Sequence, residues 1–170
     1  DEGTDILPTS RYTYSGRRVT GVAGKKNFTV IFLEKSLMNE EIGFTFKTLS
    51  VFMKYGVSFE HIPTGIDTMS FVIDSDELKG GVLEEMCEEI KSTVKPDSLR
   101  VINDIALIAV VGHGMTRSVG VSARLFEAIA RAGVNVRMID QGSSELNIIV
   151  GVDNENYERT LKAVYEEFFD

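Results

Sequence analysis

Basic residues, cysteine, histidine and long apolar runs are all scarce in this chain of 170 residues, and each scarcity removes a class of function. Lysine and arginine number 18 against 26 aspartates and glutamates, a formal net charge of −8. Such a surface repels phosphate backbones and anionic lipid, which argues against nucleic acid and membrane as partners. No apolar run approaches the ~20 residues that span a bilayer. No basic start leads into an apolar segment, so a signal peptide is not expected and a cytoplasmic setting is. The single cysteine, Cys87, forbids an internal disulfide and suits a reducing compartment. It lies in VLEEMCEEIK, between helical carboxylates that raise a thiol pKa, so a structural role is expected for it. His61 and His113 are far apart, with no cysteine beside them, and no metal site is expected.

Signatures of catalysis are missing too. No G-x-x-x-x-G-K-S/T loop is present to cradle a nucleotide. The glycines of VGHGMTRSVG (111–120) do not have the spacing of a dinucleotide fingerprint. No Ser-His-Asp set can be assembled, and no strand carries the basic and aromatic pattern of an RNA-binding sheet. The chain is expected to catalyse nothing unaided and to need no cofactor. An enzyme on a small α+β fold, such as a phosphatase or mutase, is the rival class, but no cluster of acid, base and nucleophile invites it.

What the chain does have is a repeat. Gly43 opens GFTFKTLSVFMKYGVSFEHIPTGIDTMSFVID, and Gly120 opens GVSARLFEAIARAGVNVRMIDQGSSELNIIVGVD. An offset of 77 residues pairs Gly43 with Gly120, Gly56 with Gly133, Ile62 with Ile139 and Gly65 with Gly142, and is expected to hold without a gap. Each copy starts with a short run rich in β-branched residues, FTVIFL (28–33) and IALIAVV (105–111), suited to a buried strand. An apolar stripe at helical spacing follows and stops at Gly56 or Gly133. Two further strands are expected, VSFEHI then MSFVID in one copy and VNVRMI then LNIIVGV in the other, joined by the equivalent turns PTGIDT and DQGSSE. Acidic amphipathic helices close the copies at roughly 77–94 and 154–168, and SLRVIN (98–103) ends the first.

The pattern is β-α-β-β-α-β, so the expected fold class is α+β with two ferredoxin-like modules. The second copy lacks its closing strand, and an open sheet edge is a liability. RVTGVAG (18–24) is expected to fill it, which inserts the first module within the second. The expected division is 1–17 as a linker, 28–103 as the first module, and 18–27 plus 104–170 as the second. The chain is expected to belong to a longer protein.

One loop invites a ligand. Residues Met38 to Gly43 deliver the chain into a helix N-terminus, whose free N–H groups suit a carboxylate. Gly43 allows close approach, and Phe44 and Thr45 form the first helical turn. Alternation along VSFEHI puts Ser58 and Glu60 on one face, Glu60 within reach of an ammonium group. Asp67 on the hairpin offers a second negative charge, able to hold a second positive group. Met115, Gly120, Asp140 and Gln141 of the second copy form either another site or part of an interface, and the interface role is the one expected.

These residues resemble paired ACT domains, and more narrowly the C-terminal regulatory region of aspartate kinases. The resemblance is carried by RRVTGVAGKKNFTVIFLEKSLMNEEIGF (17–44), GVSFEHIPTGIDTMSFVI (56–73) and LIAVVGHGMTRSVGVSARLFEAIARAGVNVRMIDQGSSELNIIVGV (107–152). The opening DEGTDILPTSRYT resembles the end of the kinase lobe in such enzymes. The resemblance implies binding of an end-product amino acid, lysine ahead of threonine, and feedback inhibition of aspartate phosphorylation. It implies an effector pocket at Met38, Gly43, Phe44, Ser58, Glu60 and Thr64, and a homodimer formed through the ACT modules. ATP and Mg would belong to the kinase lobe alone. A free-standing regulatory subunit with a separate catalytic chain is the second expectation.

Overall fold

The computed structural model describes residues 16–170, so the linker expected at 1–17 lies almost wholly outside the described residues. The elements run β1 (Gly21–Glu34), α1 (Phe44–Tyr55), β2 (Thr68–Asp74), α2 (Val82–Val94), β3 (Ser98–Val111), α3 (Val121–Arg131), β4 (Met138–Asp140), β5 (Asn147–Asp153) and α4 (Tyr157–Phe169). The strands form one antiparallel sheet in the order β2-β1-β3-β5-β4. This is the α+β, ferredoxin-like arrangement expected.

Two strands of 14 residues each, β1 and β3, run through both halves. Gly21–Lys25 pair with 107–111, and Phe28–Glu34 pair with residues of 98–105. Each strand breaks near its middle, at Asn27 (φ 68°) and Asp104 (φ 59°), left-handed positions that Asn and Asp tolerate better than most side chains. The register slips between Lys25 and Phe28 as it does at a β-bulge, which bends a strand. Asn27 and Asn154 hold the break: the Asn27 N–H donates to Asn154 Oδ1 at 3.1 Å, and Asn154 Nδ2 donates to Asn27 Oδ1 at 2.9 Å.

Alternation then sorts the apolar side chains. Ile31, Leu33, Phe71 and Ile73 face α1 and α2 and pack on Phe44, Phe52, Met86 and Ile90. Ile108, Val110, Ile148 and Val150 pack with Leu125, Ile129 and Val164 of α3 and α4. The neighbouring positions Phe28, Val30, Val72, Ile105, Leu107 and Ile149 point the other way and are buried together. The bend therefore folds the backs of the two half-sheets onto each other. Across this seam His61 Nδ1 lies 3.0 Å from Asp140 Oδ2. Cys87 is buried in the first core, where desolvation pushes its thiol pKa up.

Two expectations need correction. Phe28 pairs with Asp74 whereas Ile105 pairs with Asp153, so the offset grows from 77 to 79 residues at the hairpin. The extra length sits in the second turn, where the Glu145 N–H donates to the Gly142 carbonyl (3.0 Å) and Glu145 adopts φ 56°. The strands expected at VSFEHI and VNVRMI are also much shorter. The first makes a single isolated bridge, His61 with Val72, followed by Thr64 with Met69 in the turn, and the second is reduced to Met138–Asp140. Val57 and Val134 remain tied to the preceding helices, their N–H groups donating to the Phe52 and Ile129 carbonyls, so the chain reaches the sheet late.

Candidate functional site

The loop between β1 and α1 is built by its own hydrogen bonds. Met38 N–H donates to the Lys35 carbonyl, Glu41 N–H to that of Met38, and Phe44 N–H to that of Glu41, at 3.1 to 3.2 Å. Gly43 sits at φ 82° and brings no side chain to cap α1; with the Phe44 N–H taken by Glu41, the N–H groups of Thr45 and Phe46 are the first-turn donors left for a ligand. Asp97 pins the loop from outside, accepting from the Ser36 N–H (2.7 Å) and hydroxyl (2.8 Å). Those bonds hold the Asp97 carboxyl below its ordinary pKa. Lys35 donates to the Val94 carbonyl at 2.7 Å and pairs with Glu41, which also pairs with Lys47 at 3.1 Å. The hydrogen bonds from Lys35, then Lys47, pull the Glu41 pKa down.

Against this loop stands the hairpin turn, closed by the Gly65 N–H donating to the Thr68 carbonyl at 2.8 Å. Between them lies a cavity of about 310 Å³ lined by Met38, Asn39, Glu41, Gly43, Phe44, Thr45, Thr64, Gly65, Ile66 and Met69. Five expected residues thus meet in one place: Met38, Gly43, Phe44, Thr45 and Thr64. Three do not line it. The Ser58 N–H donates to Glu77 Oε2 at 2.9 Å. Asp67 contributes its carbonyl to the Lys35 N–H at 2.9 Å. Glu60 lines a different cleft, in the seam, with Lys25, Phe28 and His61. Phe59 packs on Phe52 and Phe71 under the helices, so its neighbour Glu60 faces the seam rather than the cavity. Sequence reasoning missed Asn39, Glu41, Gly65, Ile66 and Met69 as lining residues; only the position of Glu41, two residues before the helix-starting Gly43, could have pointed to it.

The second half repeats the construction. A cavity of about 440 Å³ is lined by Met115, Val121, Ser122, Gln141 and Gly142, among others, with Gly120 at φ 93° before α3. Here the Arg117 N–H donates to Glu145 Oε2 at 2.5 Å, so the loop is tied to the hairpin itself. Among the described residues no cluster has the makeup of a metal site, and no helix is long and apolar enough to cross a membrane.

The paired ferredoxin-like fold is that of ACT-domain proteins, and the ACT domain family matches residues 108–168, within the second half. Aspartokinase 3 of Bacillus subtilis is 34% identical over 168 residues, 99% of this chain and 37% of that protein. The crystal structure of Clostridium acetobutylicum aspartate kinase superposes with a TM-score of 0.90 and 46% identity, over 96% of this chain and 37% of that one. The regulatory subunit of aspartate kinase from Thermus flavus has a TM-score of 0.73 and 26% identity, over 88% of this chain and 98% of that one. The chain belongs to the regulatory regions of aspartokinases. It spans just over a third of the length of the Bacillus relative.

Proposed function

We propose that this chain is an amino-acid sensor that feedback-regulates an aspartate kinase. The observation that carries the reading is the cavity between the Met38–Gly43 loop, the start of α1 and the Thr64–Ile66 turn. Its size suits one free amino acid, with the α-carboxylate at the open first-turn N–H groups of α1. The Clostridium relative is an allosteric enzyme, which supports regulation through such a cavity. The pathway products lysine and threonine are the effectors to test. Lysine needs a carboxylate for its second ammonium group, and Glu41 is already engaged by Lys35 and Lys47. Thr45 and Thr64 offer hydroxyls, which favours threonine over lysine and reverses the order drawn from Glu60 and Asp67. The sensor would act as a homodimer through its ACT modules, and ATP and Mg would be bound by the kinase lobe. The pairing of Gly21–Lys25 with 107–111 supports a division into 28–103 and 18–27 plus 104–170.

A second reading is a free-standing regulatory subunit, favoured by the Thermus flavus chain, of which 98% is covered. The deciding test is thermal unfolding with threonine, lysine and methionine, with aspartate as control. A ligand near 100 times its dissociation constant stabilises by about 2.7 kcal/mol if it binds only the folded state. A saturable shift with one of the products is expected; no shift with any of them overturns the sensor reading. Whether a kinase lobe precedes the chain in its parent polypeptide separates the two readings.

A further inference from the structure

The seam between the half-sheets opens into two clefts that are copies of each other. One contains Ala23, Lys25, Glu60 and His61. The other, of about 260 Å³, contains Arg100, Ile102, Arg137 and Met138 at the corresponding positions, 77 residues on. Chemistry has diverged between them. Glu60 in the first is replaced by Arg137 in the second, Ala23 by Arg100, Lys25 by Ile102 and His61 by Met138.

In the second cleft Phe32, Ile102 and Met138 supply apolar walls and Ser70 a hydroxyl. Arg137 pairs with Asp153 at 2.5 Å. Arg100 lies over the Phe32 ring, 4.6 Å from its centroid, and has no carboxylate partner among the described residues. Two guanidinium groups thus line one cleft, and among the described residues only Arg137 has a carboxylate partner. This makes the cleft locally positive, over a floor that favours hydrocarbon.

We propose that this cleft binds a small apolar monocarboxylate lacking an α-ammonium group. The carboxylate sits between Arg100 and Arg137, and the hydrocarbon body lies along Phe32, Ile102 and Met138. An amino acid is disfavoured, because its ammonium group would face two guanidinium groups while Asp153 is held by Arg137. The site is thereby chemically distinct from the cavity at Gly43, where the ligand is an amino acid, and does not depend on that reading.

The test compares three molecules of one skeleton: 4-methylpentanoate, its amide, and leucine, which adds the α-ammonium group. Each is titrated into the chain and followed by amide chemical shifts. Saturable binding of 4-methylpentanoate is expected, with shifts centred on residues 70, 100–102 and 137–138. The amide and leucine should bind at least about tenfold more weakly, the equivalent of roughly 1.4 kcal/mol. Arg100→Gln and Arg137→Gln should each weaken 4-methylpentanoate by about tenfold or more, and Arg100→Lys should recover part of the loss. Both arginines are exposed, so these variants keep the fold, and Ser70→Leu provides a separate check by filling the cleft. Failure of 4-methylpentanoate to saturate, equal binding of leucine, or unchanged affinity in both glutamine variants would overturn the proposal. Shifts centred on Gly43 and Thr64 instead would overturn it too, and would leave the effector cavity standing.

Discussion

The two halves of this molecule share a backbone and differ in what they hang on it. Gly43 and Gly120 both precede a first helix at positive φ, Gly56 and Gly133 both end one at positive φ, and Asn27 and Asp104 both mark the strand break. Around those fixed points the loops are braced differently. The first is tied outward by Asp97, Lys35 and Lys47, with Glu41 gathered in by two lysines. The second is tied to its own hairpin by Glu145. Backbone geometry is thus what the two copies share, and side-chain electrostatics is where their equivalent positions diverge.

The sharpest way to break the comparison is at its core. Ile31 and Ile108 are equivalent, each fully buried under its own pair of helices. Ile31→Ala and Ile108→Ala should each cost about 2–5 kcal/mol. Because β1 and β3 pass through both halves, either variant should lower a single cooperative transition. A variant that melts one half and leaves the other at the parent temperature would show that the continuous strands do not couple them.

A smaller effect separates structure from sensing. A Cβ at Gly43 or Gly120 would meet nothing within 4 Å, so a side chain there is opposed by backbone conformation alone. Gly43→Ala and Gly120→Ala should each destabilise by about 1–2 kcal/mol. Their consequences for ligand should differ: the thermal shift with threonine should shrink in Gly43→Ala and persist in Gly120→Ala. Equal loss in both would make the second cavity a sensor as well.

These glycines also mark how much could be read from the residues alone. Duplication, helix ends and the turns at Gly65 and Gly142 were legible, because a glycine that stops an apolar stripe leaves a local signature. The runs FTVIFL and IALIAVV were legible as buried strands, apolar on both faces. What covers their second face was not, since the seam depends on a bend at Asn27 and Asp104 and on contacts far apart in sequence. Hairpin lengths were misjudged because Gly65 and Gly142 align before the two extra residues enter. Glu41 was overlooked because, in the charged run EKSLMNEE, it reads as solvated until Lys35 and Lys47 are seen to enclose it.

Acid should weaken the first half's loop in a way that can be assigned. Ser36 holds the folded-state pKa of Asp97 below its ordinary value, and Lys35 and Lys47 do the same for Glu41. A carboxyl whose folded pKa is depressed stabilises above its unfolded pKa and loses that contribution as pH falls through the folded value. Unfolding temperature should therefore decline as pH drops below the ordinary carboxylate range. Asp97→Asn should flatten part of that decline while lowering stability modestly at neutral pH. An unchanged pH profile would mean that Asp97 does not bond Ser36 in solution.

The smallest expected effect is the most discriminating. Glu60 was the residue that alternation assigned to the ligand's ammonium group, yet its side chain lies in the seam with Lys25 and His61. Thr64, four residues on, lines the cavity. Thr64→Val should weaken threonine binding by about 1 kcal/mol or more, the scale of one lost hydrogen bond, whereas Glu60→Ala should leave it unchanged. If calorimetry instead finds that Glu60→Ala weakens the effector as Thr64→Val does, the irregular segment 57–60 must rearrange on binding. Glu60 would then have to leave the seam cleft it shares with Lys25 and His61, and the chemical contrast between the two clefts would cease to be a fixed feature of the fold and become a readout of whether the effector is bound.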